Sequence, residues 1–200
     1  IDLRTITDAK TWEVLNAAAT IEPAGGDGKS AVRLTAHGDS GRRMAGIALP
    51  IGVEFATGVI ELDLKGKNLK QRSFLGVVFN VADNQTFEGI YFRPFNFRAA
   101  APMHTHAVQY ICWPDYTWEK LRKNKPGKFE AAIVPAPDPD GWFHARIVIT
   151  EKQVQVFVNA AKSPSLEIER LTPVTTPRPT GLFVDVAEGQ YANLKVTPIL

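Results

Sequence analysis

Alternation of apolar and polar side chains is the feature that most restricts the fold of this chain. In Gly58–Lys65 (GVIELDLK), the residues Ile60, Leu62 and Leu64 are separated by charged residues. Successive side chains of a strand point to opposite faces of a sheet, so this segment predicts a strand with one buried face. Helical periodicity is almost absent from the rest of the chain. The pattern therefore predicts an all-β protein.

Further strand-like segments follow one another at short intervals. Apolar and polar residues alternate in residues 30–36, which lie between two glycine-rich turns at 25–28 and 38–41. Residues 74–81 (FLGVVFNV) are apolar on both faces, as expected for a central strand. About a dozen short strands without βαβ alternation predict a two-sheet antiparallel β-sandwich of jelly-roll type. We expect one domain that spans residues 1–200.

Length and composition exclude several classes of protein. A chain of 200 residues can bury a hydrophobic core without disulfide bonds, and its single cysteine, Cys112, excludes an internal disulfide and a multi-cysteine metal site. A net charge of +2 gives only weak positive character, whereas nucleic acid demands a clustered basic face. No apolar run reaches the roughly eighteen residues of a membrane helix. We therefore expect neither a nucleic-acid partner nor membrane insertion, and the oligomeric state stays open.

The chemically richest segment comprises residues 87–118. It contains nine aromatic residues, two of the four histidines and the only cysteine. Its halves, GIYFRPFNF and HAVQYICW, each predict a strand, yet Arg93, His106, Gln109 and Trp113 stand among their apolar residues. Aromatic faces beside guanidinium, imidazole and amide groups suit a sugar, whose C–H faces stack while its hydroxyl groups form hydrogen bonds. The segment therefore predicts a carbohydrate site.

Seven residues are the predicted ligand contacts, namely Tyr91, Arg93, His104, His106, Gln109, Trp113 and Trp118. Each also has a purely structural interpretation. Arg93 can form an internal salt bridge with Glu88 or Asp115, because a buried guanidinium needs partners. His104 and His106 share a face if their strand begins that early, and ligand contact, metal binding and packing are all open for them.

The basic run at residues 120–128 (KLRKNKPGK) has no aromatic residues interleaved with its charges. It therefore predicts a solvated loop rather than a binding surface.

Six short segments resemble bacterial secreted domains of the concanavalin A-like lectin/glucanase superfamily, namely FRPFNF (92–97), HAVQYI (106–111), WEKLR (118–122), VFVN (156–159), GLFV (181–184) and YANLKV (191–196). The closing pattern is similar to that of laminin G-like domains and of the family of 3-keto-disaccharide hydrolases. The resemblance covers about residues 59–196. It implies a jelly roll of two antiparallel sheets, with ligands on the concave sheet or its rim, and carbohydrate binding or hydrolysis as the function.

A possible catalytic motif begins at Glu61-Leu62-Asp63. It resembles the start of the glutamate–x–aspartate–x–x–glutamate strand in family 16 glycoside hydrolases, which share that fold. Retaining chemistry needs two carboxylates about 5 Å apart on either side of the glycosidic bond. Gly66 occupies the position of the third acidic residue, so the motif lacks its acid/base. The candidates that remain for catalysis are Glu61 or Asp63 as the carboxylate and His106 as a general base, and the alternative is a solvated strand face.

The expected function is a secreted or periplasmic carbohydrate-binding domain. The chain begins at Ile1 rather than Met, which we take as a sign that a leader was removed, and this allows secretion. The alternatives are a glycoside hydrolase or lyase that acts on a sugar, and a laminin G-like protein-interaction module. We expect no cofactor and no metal. Structural calcium is common in the superfamily that the chain resembles, but no dense Asp/Asn loop indicates such a site here.

Overall fold

The computed structural model describes residues 1–23, 30–37, 44–172 and 176–199. These residues form mainly strands, and the strands build two seven-stranded antiparallel sheets with the core between them. The predicted all-β sandwich of two antiparallel sheets is therefore confirmed. The glycine-rich turns expected at 25–28 and 38–41 lie outside the described residues.

Sheet A contains, in spatial order, β1 (Trp12–Leu15), β4 (Gly46–Pro50), β15 (Gly181–Asp185), β7 (Phe74–Asp83), β8 (Thr86–Phe92), β9 (Val108–Trp113) and β10 (Glu130–Ala131). Sheet B contains β13 (Leu166–Glu169), β12 (Gln153–Val158), β11 (Phe143–Ile149), β6 (Gly58–Lys65), β16 (Glu188–Pro198), β3 (Ala31–Ala36) and β2 (Ala17–Glu22). Two short strands, β5 (Glu54–Phe55) and β14 (Arg178–Pro179), pair with each other. The helical elements are α1 (Trp118–Asn124) and three 3-10 turns, Leu3–Thr5, Pro94–Asn96 and Met103–His106.

The hydrophobic core between the sheets is built from alternate strand residues. Ile60, Leu62 and Leu64 of β6 are all at most 1% exposed, as their alternation predicts. Leu75 and Val77 of β7 belong to the same buried cluster and come from sheet A. Burial of apolar surface contributes about 25 cal/mol per Å², so this cluster is the main source of stability.

The outer face of sheet A is apolar as well. Tyr91 and Phe183 are buried there in a second hydrophobic cluster, which is separate from the core between the sheets. Phe74, Trp113 and Trp118 pack against this cluster and are only half-buried. The central strand β7 is therefore covered on both faces, as its continuous apolar sequence predicts.

The connection between β8 and β9 differs from the two strands that the sequence predicts. Strand β8 ends at Phe92, because Pro94 lacks a backbone N–H and begins a 3-10 turn. Strand β9 begins only at Val108, directly after the turn Met103–His106. Arg93 and the imidazole of His106 therefore lie in the connection at one end of sheet A rather than within its strands.

A buried ion pair joins the edge of sheet B to sheet A. Arg170 follows β13, and its Nε and Nη2 donate to the carboxylate of Glu88 at 3.1 and 2.5 Å. The Tyr110 hydroxyl donates to the same carboxylate at 2.5 Å. The side chains of Arg170 and Glu88 are 1% and 0% exposed. Glu88 is thus engaged across the core and is not the partner of Arg93.

Candidate ligand-binding site

A cavity of about 250 Å³ opens at the end of sheet A. Its apolar wall consists of Phe74, Tyr91, Phe95, Met103 and Trp118. Its polar groups are those of Gln71, Arg93, Asn96, His106, Arg122 and Asp185. Several aromatic rings around a few polar groups are typical of a small-molecule site.

The antiparallel pairing of β15, β7 and β8 brings residues of this wall together. Phe74 begins β7, and it is paired with Asp185 at the end of β15. Tyr91 lies near the end of β8 and is paired with Gly76 of β7. In an antiparallel sheet the last residues of one strand lie beside the first residues of its neighbour, so residues that are far apart in sequence meet at this end of the sheet.

Arg93 forms a fixed cationic group in the cavity. It is 5% exposed. Its Nη2 donates to the Tyr91 hydroxyl at 2.6 Å and to Gln109 Oε1 at 3.3 Å, and its Nη1 donates to the His106 carbonyl oxygen at 2.9 Å. Burial lowers the pKa of Arg93 and raises the pKa of Tyr91 to about 12. Neutral acceptors therefore hold most of this guanidinium, which corrects the expected ion pair with Glu88 or Asp115.

Glu130 links the second arginine of the cavity to the histidine. Arg122 donates through Nε and Nη2 to its two carboxylate oxygens at 2.8 and 2.6 Å, and these bonds raise the pKa of Arg122. His106 Nδ1 lies 2.9 Å from Glu130 Oε2, and Arg93 Nη1 lies 3.7 Å from it. Burial lowers the pKa of His106, although the charge of Glu130 opposes that effect. The Glu130 carboxylate thus orients the side chains of Arg122 and His106 from behind the cavity.

Trp118 lies close to both arginines. Its ring centroid is 4.8 Å from the guanidinium carbon of Arg122 and 5.9 Å from that of Arg93. Trp118 and Arg122 are four residues apart in α1, where such positions are neighbours on the helix surface. Thr117 caps this helix by accepting a hydrogen bond from the backbone N–H of Lys120. Attraction between the cations and the indole face holds the ring as a wall of the cavity.

Four of the seven predicted contacts line this cavity, namely Tyr91, Arg93, His106 and Trp118. Tyr91 and Arg93 face it from the outer side of sheet A, whereas Ile90 and Phe92 belong to the core. The sequence left this choice of face open, and the register of β8 decides it.

Gln109 lies behind the cavity instead of in it. It is 1% exposed, and its amide nitrogen donates to the carbonyl oxygens of Tyr110 and Phe129 at 2.9 and 3.1 Å. Its amide oxygen accepts from Arg93. The predicted ligand contact through Gln109 is therefore replaced by a supporting role under Arg93.

His104 and Trp113 also lie away from this cavity. His104 belongs to the 3-10 turn Met103–His106 rather than to a strand, and residues two apart do not share a face in a helix of three residues per turn. The strand does not begin early enough for His104 and His106 to share a face of it. Trp113 stacks on Phe87, with centroids 5.8 Å apart, and lines a separate cavity of about 240 Å³ beside Thr172.

The catalytic candidates are not brought together. Glu61 and Asp63 lie on the outer face of sheet B, since the residues between them point into the core. Asp63 is 2.9 Å from His144 Nδ1 and accepts from Asn193 at 2.8 Å, while Glu61 lies 3.8 Å from His144 Nε2. The core between the two sheets separates both carboxylates from His106. A catalytic set of Glu61 or Asp63 with His106 is therefore not assembled.

The described part of the chain shows neither a metal-ion cluster nor a membrane-spanning helix. No group of three or more His, Cys, Asp or Glu side chains there is arranged to hold a metal ion. No helix within the described ranges is both long and apolar enough to cross a membrane.

Sequence reasoning missed several residues of the site. Arg122 belongs to the basic run at 120–128, yet it turns toward Glu130 instead of remaining in a solvated loop. Its spacing of four from Trp118 was the available signal. Glu130 lies in a two-residue strand and Asp185 at a strand end, so neither carried a local signal.

No protein-family model matches the chain, and no curated protein matches it in sequence. Solved structures do match it. The carbohydrate binding module CBM66 from Bacillus subtilis has a TM-score of 0.63 at 11% identity, over 93% of this chain and 94% of that one. The exoplasmic/lumenal domain of VIP36, in its Ca²⁺/Man3GlcNAc-bound form, has a TM-score of 0.57 at 10% identity, over 96% and 87%. A beta-1,3-glucanase from Mycobacterium marinum has a TM-score of 0.53 at 15% identity, over 95% and 93%. The two-sheet β-sandwich of this chain is therefore a fold shared with these three proteins, as the sequence resemblance implied.

Proposed function

We propose that this protein is a carbohydrate-binding domain that holds a sugar ring in the cavity at the end of sheet A. The observation that carries the proposal is the setting of Arg93. Its guanidinium is fixed among the rings of Phe74, Tyr91 and Trp118, with centroids 5.9, 4.8 and 5.9 Å away. The C–H face of a sugar can pack against such rings while its hydroxyl groups meet the polar groups between them.

The size of the cavity limits the ligand to about one ring. Drug-sized ligands occupy pockets of roughly 300–1,000 Å³. The cavity here, at about 250 Å³, falls below that range. A longer glycan therefore places one residue in the cavity, and the rest extends along the outer surface.

The polar groups favour binding over hydrolysis. Asp185 is the only carboxylate among the described residues that line the cavity. Glu130 lies behind it and is held by two hydrogen bonds from Arg122. Glycoside hydrolysis ordinarily uses two carboxyl groups on either side of the scissile bond, and the described lining residues do not supply that pair.

The structural neighbours are consistent with this proposal. One is a carbohydrate binding module, and another was solved as a complex with Man3GlcNAc. A glucanase shares the same fold, so the function has to be inferred from the site rather than from the fold. A secreted or periplasmic location belongs to the same proposal, because polysaccharides are met mainly outside the cytoplasm.

A glycan array followed by thermal unfolding tests the proposal. A ligand at one hundred times its Kd stabilises a protein by about 2.7 kcal/mol. For a chain of 150–250 residues this raises Tm by about 5–11 °C, since 1 kcal/mol corresponds to about 2–4 °C. We expect such a rise with at least one sugar from the array. A well-folded protein that no glycan stabilises would contradict the proposal and favour the protein-interaction module.

A further inference from the structure

Glu130 determines which ring nitrogen of His106 carries the proton. Nδ1 lies 2.9 Å from Glu130 Oε2 but forms no hydrogen bond with it, because the ring is not aligned with that oxygen, so the two groups interact through charge alone. A lone pair at that distance would repel the carboxylate, whereas an N–H is attracted to it. Neutral His106 is therefore protonated at Nδ1, which leaves the lone pair on Nε2.

The other nitrogen of His106 is accessible from the cavity. Nδ1 is a buried atom, whereas Nε2 is neither buried nor hydrogen-bonded to any described residue. The side chain is 19% exposed, and the residue lines the cavity. Arg93 and Asn96 both donate to the His106 carbonyl oxygen, at 2.9 and 3.2 Å. The backbone of the residue is thus held in place, and its free nitrogen belongs to the exposed part of the ring.

The charged groups around His106 come from four elements. Glu130 belongs to β10, Arg93 follows β8, Arg122 belongs to α1 and Asp185 ends β15. Two nitrogens of each arginine already have acceptors. Among these groups, His106 is therefore the one whose charge changes most readily near neutral pH.

We propose that His106 sets the preference of the cavity between neutral and acidic sugars, and that this preference shifts toward uronic acids once Nε2 is protonated. This inference rests on the proposed carbohydrate binding. A hydroxyl group both donates and accepts, so a neutral sugar can bind either form of His106. An ionised carboxylate only accepts, so the lone pair repels it and Nε2–H attracts it.

The direction of the pH effect follows from the surroundings of His106. Burial keeps its pKa below the usual value, and the positive charges of Arg122 and Arg93 act in the same direction. The residue is therefore neutral at pH 7.5 and gains its proton as the solution is acidified. A uronic acid stays mostly ionised at pH 4.5–5, because the ring oxygen beside its carboxyl-bearing carbon withdraws electrons, much as the amide nitrogen does at the C-terminal carboxyl group of a peptide, whose pKa is about 3.3–3.7.

Calorimetric titrations with two sugar pairs test this inference. The probes are glucose with glucuronate and galactose with galacturonate, each measured between pH 7.5 and pH 4.5. We expect the affinity for the uronate, relative to its neutral partner, to rise at least tenfold on acidification. In His106→Gln the ratio should stay flat, because the amide does not titrate in this range. His104→Gln, a change in the same turn but outside the cavity, should follow the parent.

Several outcomes would overturn the inference. A flat ratio in the parent, or an unchanged pH response in His106→Gln, would overturn it alone and leave carbohydrate binding intact. Absence of binding by every sugar at both pH values would overturn the proposed function and this inference with it. A ligand-free check uses ¹⁵N NMR of the imidazole at pH 7.5, where the account requires protonated Nδ1. Protonated Nε2 would contradict it whatever the sugars do.

Discussion

The buried ion pair between Arg170 and Glu88 gives the sharpest stability prediction. In Arg170→Met, a side chain of similar length keeps most of the packing, but the carboxylate of Glu88 stays buried at 0% exposure without its cation. The carbonyl oxygen of Thr150 also loses a donor at 3.0 Å. Removal of one partner of a buried ion pair costs about 3–5 kcal/mol. For a 200-residue chain, at about 2–4 °C per kcal/mol, Tm should fall by about 6–20 °C.

Denaturation in urea, followed by tryptophan fluorescence, measures this loss. The double variant Glu88→Gln with Arg170→Met removes the buried charge, so it should recover at least about 1 kcal/mol relative to Arg170→Met alone. Arg4→Met is the matched control, because its pair with Asp2 is 70% and 47% exposed and should change stability by less than about 1 kcal/mol. An Arg170→Met variant as stable as Arg4→Met, or a double variant with no recovery, would refute the reasoning.

Three further predictions concern sheet A. Gly76→Ala should destabilise the fold by at least about 2 kcal/mol, because an added Cβ would lie 2.0 Å from the Ile90 carbonyl oxygen. A Cβ added at Gly89 would lie 3.3 Å from its nearest atom, so Gly89→Ala should cost clearly less in the same urea assay. The Cys112 thiol should react with a disulfide reagent only slowly at pH 8 in the folded protein, since burial raises its pKa; prompt reaction without denaturant would be the contrary result. Burial raises the pKa of Tyr91 from its usual value near 10 to about 12, so the contribution of Tyr91 to stability should be lost as the pH rises from about 10 to about 12, and Tyr91→Phe should reduce this loss.

The general fold could be predicted because its signal is local. Alternation in Gly58–Lys65 fixes which side chains enter the core, and Ile60, Leu62 and Leu64 are buried accordingly. Strand ends were less accessible to sequence reasoning. Apolar residues continue beyond Phe92, but Pro94 ends the pairing and turns the chain. The alternation of GIYFRPFNF thus predicts a strand that is longer than β8.

The site was only partly predictable because its contacts join distant segments. Tyr91, Arg93, His106 and Trp118 stand out through their residue types in the aromatic segment. Glu130 does not, although it binds Arg122 and approaches both Arg93 and His106. Its role depends on the pairing of β10 with β9, which no local pattern specifies. The same dependence on tertiary structure made Gln109 resemble a ligand contact when it is a buried support.

A comparison of Trp118 with Trp113, which are both half-buried, tests the central claim most directly. Trp118 lines the cavity at the end of sheet A, whereas Trp113 lines the separate cavity beside Thr172. The measurement is isothermal titration of the parent, Trp118→Ala and Trp113→Ala with the sugar that the glycan array selects. We predict one site per chain, a loss of at least about tenfold in affinity for Trp118→Ala, equivalent to about 1.4 kcal/mol, and a change below about threefold for Trp113→Ala. Equal affinity in Trp118→Ala and the parent, or a loss confined to Trp113→Ala, would contradict the account.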